Sequence, residues 1–181
     1  MRFLALAALI LAHPALAQER PLLSPSRDVD VTYAIAGPDG PLPQRLRWGV
    51  AAGKMRVDPP SPGLFMVVDT HSHRLETVRE SDHVVVQVDG PKTVPGQVGG
   101  ASFKAQGSAH IAGLDCTQWQ TTDTDGMPTL ACITADGVLL QAVSKGQVLV
   151  VAVAVRYSAQ DDAVFAVPQD YRRVIAPPVK R

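Results

Sequence analysis

Residues 129–155 read "TLACITADGVLLQAVSKGQVLVVAVAV". Three runs of strand-forming residues are divided by Asp136-Gly137 and Lys145-Gly146. Asp-Gly suits a two-residue hairpin turn, where both central residues want positive φ; Lys-Gly is a weaker signal of the same length. The pattern predicts antiparallel strands over 129–135, 138–143 and 147–158. Two-residue turns at those sites pair Ile133 with Leu140, Cys132 with Gln141, and Leu140 with Val151. Ile133, Leu140 and Val151 then line one face, and Leu149, Val153, Val155 and Tyr157 extend it. "VLVVAVAV" is apolar on both sides, so its strand is expected to be central and covered on both faces.

The same period-two signal recurs toward the N-terminus. "DVDVTYAIA" places Val29, Val31, Tyr33 and Ile35 on one face. "RLRWGV" sets Leu46, Trp48 and Val50 opposite Arg45 and Arg47. "KMRVD", "LFMVVDT", "RLETVRE" and "HVVVQV" follow, broken by "PPSPG" at 59–63 and by His71-Ser72-His73. Residues 90–107 are rich in glycine, hold two prolines, and read as a loop or flap with at most one helical turn. Residues 109–121 read as one strand. Near the end, Phe165 and Val167 suit a short edge strand, where Pro168 is tolerated. No long amphipathic helix, internal repeat or interdomain linker is visible. The expected fold is therefore mainly β: one curved antiparallel meander of eight to ten strands, or a half-open barrel, with little helix.

The N-terminus has a different character. Arg2 precedes the apolar run "FLALAALILA" at 3–12, and Ala15-Leu16-Ala17 supplies an A-x-A cleavage site. Ten apolar residues are too few to span a bilayer, so 1–17 reads as a secretory signal cut after Ala17. Residues 18–27 form a lead-in, 28–175 the single domain, and 176–181 a disordered tail. A periplasmic or secreted protein that does not span the membrane is expected.

Composition removes some function classes. Lys+Arg and Asp+Glu both number 17, so no basic excess favours nucleic acid. Aromatic residues are few, at 5%, too few for stacking platforms. Cys116 and Cys132 are the two cysteines. A zinc site wants four ligands with close cysteine pairs, and a thioredoxin-like redox couple wants C-x-x-C; neither pattern occurs. In an oxidising compartment a structural disulfide is the expected state. A five-residue loop at 122–126 would set Cys116 directly opposite Cys132.

His71 and His73 share one side of an extended chain, and His83 with Asp69 could complete a metal set. Their position at a strand-to-strand handover favours solvated turn histidines instead. Asp123 with Asp125 and the Asp161-Asp162 pair sit in turn contexts, and Ser108 with His110 share only an i, i+2 spacing. "GQVGG" lacks a phosphate-loop pattern, and no G-x-S-x-G elbow exists. No catalytic, cofactor or metal residue is therefore assigned. The candidate site is an apolar sheet face represented by Ile133, Leu140, Leu149, Val151 and Val153.

The order of "DVDVTYAI", "RLRWGVAAGKMRVD", "FMVVDTHSHRLETV", the two-cysteine hairpin with "ADGVLL", and the closing F-x-V-P-x-x-Y at 165–171 resembles the LolA-like superfamily of periplasmic proteins. The resemblance spans 28–175. It implies a half-open antiparallel barrel with an apolar concave face, in a group that includes lipoprotein carriers and domains that sense envelope stress. This chain differs from the carriers in having few aromatics and no lid helices. The expected function is a non-enzymatic exported protein holding a lipid or other apolar ligand. The alternative is an envelope structural or protein-interaction module without a pocket, and a third is an enzyme or metal protein using His71, His73 and His83.

Overall fold

The computed structural model describes residues 20–89, 102–122 and 126–176. The signal reading, the glycine-rich part of 90–101 and the tail at 177–181 lie outside these residues. The described strands are β1 (Val29–Ile35), β2 (Leu42–Gly49), β3 (Lys54–Asp58), β4 (Leu64–Asp69), β5 (Arg74–Arg79), β6 (Val84–Asp89), β7 (Lys104–Ile111), β8 (Leu114–Thr122), β9 (Pro128–Ile133), β10 (Leu139–Ser144), β11 (Gln147–Arg156) and β12 (Arg172–Ile175). All belong to one sheet in the order β12-β6-β5-β4-β3-β2-β1-β11-β10-β9-β8-β7. Two ends remain, so the sheet is open and not a closed barrel. One strand departs from the antiparallel meander: β12 runs parallel to β6.

Three connections in the first half share one geometry. Gly49 pairs with Lys54, Asp69 with Arg74, and Arg79 with Val84, leaving four residues in each loop. Each loop ends on a left-handed residue: Gly53 at φ 59°, His73 at 51° and His83 at 49°. Histidine is among the non-glycine residues enriched in that region. In the β4–β5 loop the Asp69 carboxylate accepts hydrogen bonds from the His71 and Ser72 backbone N–H groups, both at 2.9 Å. The histidines are thus turn-formers, and His83 packs its ring on Tyr171 with 4.8 Å between centroids.

The second half corrects several expectations. Residues 109–121 are not one strand. Ala112 at φ 51° and Gly113 at φ 78° make a two-residue turn between β7 and β8, and β7 begins back at Lys104. Alanine carries no turn signature, which hid the hairpin. The Asp136-Gly137 turn has three residues: Thr134 N–H donates to Val138 O, and only Gly137 has positive φ, at 89°. Gln141 pairs with Cys132 as expected, but Leu139, not Leu140, pairs with Ile133. Lys145 (φ 51°) and Gly146 (φ 75°) do form the expected two-residue turn, joining Ser144 to Gln147.

Two β-bulges then shift the register of β11. Val143 pairs with Val148 and Ala142 with Val150, leaving Leu149 as the extra residue. Against β1, Tyr33 pairs with Ala152 and Thr32 with Ala154, leaving Val153 extra. Val151 therefore faces Gln141 rather than Leu140. Each bulge adds one unpaired residue and reverses the side-chain alternation. A run apolar at every position gives no alternation from which to read such a reversal. β11 is central, but it is not covered on both faces: Val148, Leu149 and Val153 are 45%, 43% and 58% exposed.

A single sheet has no second layer, so burial requires curvature or covering segments. The main core takes Val29, Val31 and Tyr33 from β1, Trp48 from β2, Cys116, Cys132 and Leu140 from the far strands, and Ala152 from β11. Tyr33 reaches over its small partner Ala152 and donates its hydroxyl to Leu139 O, 2.8 Å away, two strands from its own. On the other side of β3–β6, Phe65, Val67, Val78 and Val85 are covered by Phe165 with Val164, Val167 and Tyr171. Phe165 is thus not in an edge strand. It ends a short 3-10 helix, Asp162–Phe165, whose first turn is capped by the Asp161 side chain accepting from Ala163 N–H. The chain then joins the edge as β12.

The disulfide Cys116–Cys132 is present, with 5.4 Å between Cα atoms. Its geometry differs from the expectation in one respect. β8 and β9 pair Thr122 with Pro128 and Gln118 with Cys132, so the bridge is diagonal across the two strands. Cys116 itself lies opposite Ala109 of β7. The loop has the expected length but begins one residue later.

Polar residues on the outer side of β1–β3 form an ion-pair cluster. Arg45 donates twice to Asp30, at 2.9 and 2.6 Å, and Arg156 reaches the same carboxylate at 3.4 Å. Arg47 and Arg56 both bond Asp58, and Arg56 also lies 3.7 Å over the Phe65 ring. Hydrogen bonds from Arg45 outweigh the upward push of burial and hold the Asp30 carboxyl below its ordinary value of 3.8.

Two outcomes follow from this packing. Replacing both cysteines with alanine is expected to lower unfolding free energy by about 3 kcal/mol, read by urea denaturation, since the bridge closes a short loop in the unfolded chain. A lowered carboxyl pKa stabilises the fold above the unfolded-state value and is lost as pH falls through the folded-state value. Asp30→Asn is therefore expected to cost about 2 kcal/mol at neutral pH and to flatten the loss of stability below about pH 4, measured by denaturation across pH.

Candidate functional site

The inner face of β1–β6 can be read directly from the register. Val29 pairs with Trp48, Trp48 with Met55, Met55 with Val68, Val68 with Leu75, and Leu75 with Val88. One apolar row therefore crosses six strands. Beside it runs Val31, Leu46, Val57, Met66, Thr77 and Val86. Burial falls along both rows: Val29 and Val31 are fully buried, whereas Leu75, Thr77, Val86 and Val88 are half-buried. The opposite side of β3–β6 is occupied by the 164–171 segment, so these rows are the less covered side.

At the buried end the rows enter a cavity of about 300 Å³. Val29, Val31, Leu46, Trp48 and Met55 line it from β1–β3, Leu139 from the start of β10, Val138 from the β9–β10 connection, and Leu23, Ser24 and Pro25 from the lead-in. No charged side chain is among its described lining residues. Tyr33 lines it too, its hydroxyl already given to Leu139 O, and burial pushes that hydroxyl's pKa far up. Among the described residues the buried Trp48 indole N–H has no hydrogen-bond partner.

A clasp holds the lead-in against this cavity. Ser26 N–H donates to Asp136 O at 2.9 Å, and Arg27 Nε donates to the Asp136 carboxylate at 3.1 Å. Arg27 also stacks 3.7 Å over Tyr157, whose hydroxyl donates to the same carboxylate. Thr134 Oγ1 completes the set. Burial pulls the Asp136 carboxyl pKa upward, but hydrogen bonds from Thr134, Tyr157 and Arg27 outweigh it and leave it lowered. Gly137 lets the lead-in approach: a Cβ there would collide with the Ser24 carbonyl.

The candidate apolar-face residues do not form one site. Leu140 is fully buried in the main core, and Ile133 belongs to a separate cluster with Trp119 and Ala131. Val151 is half-buried, and Leu149 and Val153 are exposed. The rows on β3–β6 were missed: "KMRVD" carries the required alternation, but "RLETVR" does not, because Leu75 and Val78 fall on opposite faces. Among the described residues no group of three or more His, Cys, Asp or Glu could hold a metal ion. His110 instead pairs with Asp115 at 2.7 Å on the exposed β7–β8 hairpin.

No family model matches the chain, and no curated protein matches it in sequence. Solved structures do share the fold. An uncharacterized conserved protein from Thermus thermophilus superposes with a TM-score of 0.62 at 17% identity, covering 83% of this chain and 91% of that one. PNGF-II gives 0.55 at 13%, with 83% of this chain spanning 31% of its own. MucB gives 0.55 at 13%, with 83% of this chain spanning 60% of that one; in Pseudomonas aeruginosa MucB also occurs in a complex with MucA. At these identities the likeness concerns the fold alone.

Gly137→Ala tests the close approach of the lead-in. A side chain at positive φ and against Ser24 is expected to cost about 2 kcal/mol and to speed hydrogen exchange at the Ser26 amide. Unchanged exchange would show that the lead-in is held elsewhere.

Proposed function

We propose that the chain is an exported, non-enzymatic binding protein that takes an apolar ligand on its concave sheet face. The observation carrying this reading is the pair of apolar rows running from half-buried positions on β5 and β6 into an uncharged cavity of about 300 Å³. That volume is at the lower end of the range of ligand pockets. The disulfide supports an oxidising compartment, and no described helix is long and apolar enough to cross a membrane. The similarity of fold to MucB, which is found in a complex with MucA, supports a binding role.

A second reading has its own observation. Val148, Leu149 and Val153 expose apolar side chains on β11, and MucB is found in complex with a protein, MucA. An envelope protein-interaction module would use such a patch and leave the cavity empty.

Native mass spectrometry on the protein exported by a bacterial host separates the two. Ligand binding predicts a small apolar adduct that organic solvent extracts. Val150→Trp, which fills the cavity wall, is expected to cut that adduct at least tenfold, whereas Leu149→Ser leaves it unchanged. An adduct-free protein, with partner capture lost in Leu149→Ser, would establish the second reading instead.

A further inference from the structure

The outer face of β2, β1 and β11 carries three rows set by register. Pro43, Ala34 and Val151 form the first, Arg45, Thr32 and Ala154 the second, and Arg47, Asp30 and Arg156 the third. Ala152 and Val155 turn toward the main core, and the bulge leaves Val153 and Ala154 exposed between them. Over β3–β6 this same face is covered by the 164–171 segment, where Arg56 donates to Val164 O. Over β2, β1 and β11 it stays open. Pro43, Arg45 and Ala154 are exposed there, and Thr32, Ala34 and Val151 are half-buried. Short side chains therefore make a shallow apolar floor beside a row of arginines.

The charge on this face is unbalanced. Arg45 and Arg156 both reach the Asp30 carboxylate, and Arg47 and Arg56 both reach Asp58, so four arginines meet two aspartates. The Asp30 side chain is only 8% exposed, whereas those of Arg45 and Arg156 are 45% and 74% exposed. Arg45 spends Nε and one terminal nitrogen on Asp30, and Arg156 makes one contact at 3.4 Å. A guanidinium has more N–H donors than that, so both keep some to spare. Two arginines drawn to one carboxylate are held in place for a further oxyanion. Anionic lipid surfaces are bound by clusters of about four to eight basic residues, a denser field than this pair. A single carboxylate with apolar neighbours fits both the pair and the floor. Segments 90–101 and 177–181 contain no Asp or Glu, so neither supplies it.

We infer that the outer face of β2, β1 and β11 docks a protein partner, one whose segment sets an Asp or Glu between Arg45 and Arg156 and lays apolar side chains on Pro43, Val153 and Ala154. Asp30 is the positioning residue that holds the two arginines. The inference rests on the protein-interaction reading above, adding its face and the chemistry of its partner, and it is independent of whether the cavity holds a ligand.

The experiment selects random peptides displayed on phage against the chain exported by a bacterial host, then measures the enriched peptides by fluorescence anisotropy. The expected peptides carry an Asp or Glu flanked by apolar residues. Arg156→Gln and Val153→Asp are each expected to weaken them about tenfold, and so is raising salt from about 0.1 to 1 M. Replacing the peptide's acid by its amide is expected to cost as much, and to cost nothing further in Arg156→Gln. Should Arg156→Gln fail to fold, the amide peptide on the unaltered chain still decides the matter. No enrichment, peptides without an acid, or acidic peptides indifferent to Arg156→Gln overturn the inference. Peptides lost in Leu149→Ser but not in Arg156→Gln overturn it and leave the protein-interaction reading standing, since Leu149 lies outside the three rows. Binding to phosphatidylglycerol–phosphatidylcholine vesicles that falls in Arg156→Gln assigns the face to lipid and also overturns it.

Discussion

A single sheet must bury its own apolar residues, because the described residues form no second layer to cover them. Here the inner face is buried by curvature and by the lead-in segment, and the outer face of β3–β6 by the chain from the 3-10 helix to β12. Each side chain in the main core depends on that arrangement. Flattening the sheet would leave Val29, Val31 and Leu140, now fully buried, in water. Burial of each such side chain stabilises by about 1.5–3 kcal/mol.

Curvature needs local devices, and they concentrate around β10 and β11. Bulges at Leu149 and Val153, together with the Leu139-to-Gln141 irregularity, re-aim side chains within a few residues. Ala152 is small enough for Tyr33 to cross above it and tie β1 to Leu139. The diagonal disulfide fixes β8 to β9 on the same side of the fold. These devices set the depth of the cavity, and the Asp136 clasp sets its roof. The cavity is thus a consequence of how the sheet bends, with Trp48 left at its wall.

The legible parts of the sequence were those where one position fixes one backbone state or one face. The alternation of Val29, Val31 and Tyr33 against Asp30 and Thr32 specified the inner face of β1, and Lys145-Gly146 specified its turn. The disulfide was foreseeable from the oxidising compartment that the N-terminal sequence led one to expect. Where the pattern carried no contrast, register could not be read. "VLVVAVAV" is apolar throughout, so two bulges passed unseen. Ala112 gives no sign that a hairpin turns there. Phe165 looks like a strand residue, yet its place is decided by the space above Gly49, where a Cβ would strike the ring.

By itself the sequence determined the class of fold and most strands, because period-two alternation and turn residues act over a few neighbours. It also determined that the two thiols would be spent on each other. Only the tertiary structure decided which apolar face remains less covered. That depends on where the lead-in and the 164–171 segment come to rest, on opposite sides of the sheet and far from their contacts in sequence. The candidate site consequently moved from β9–β11 to the rows across β1–β6. Those rows exist only because five register choices agree, and register is a property of paired strands that no single strand encodes.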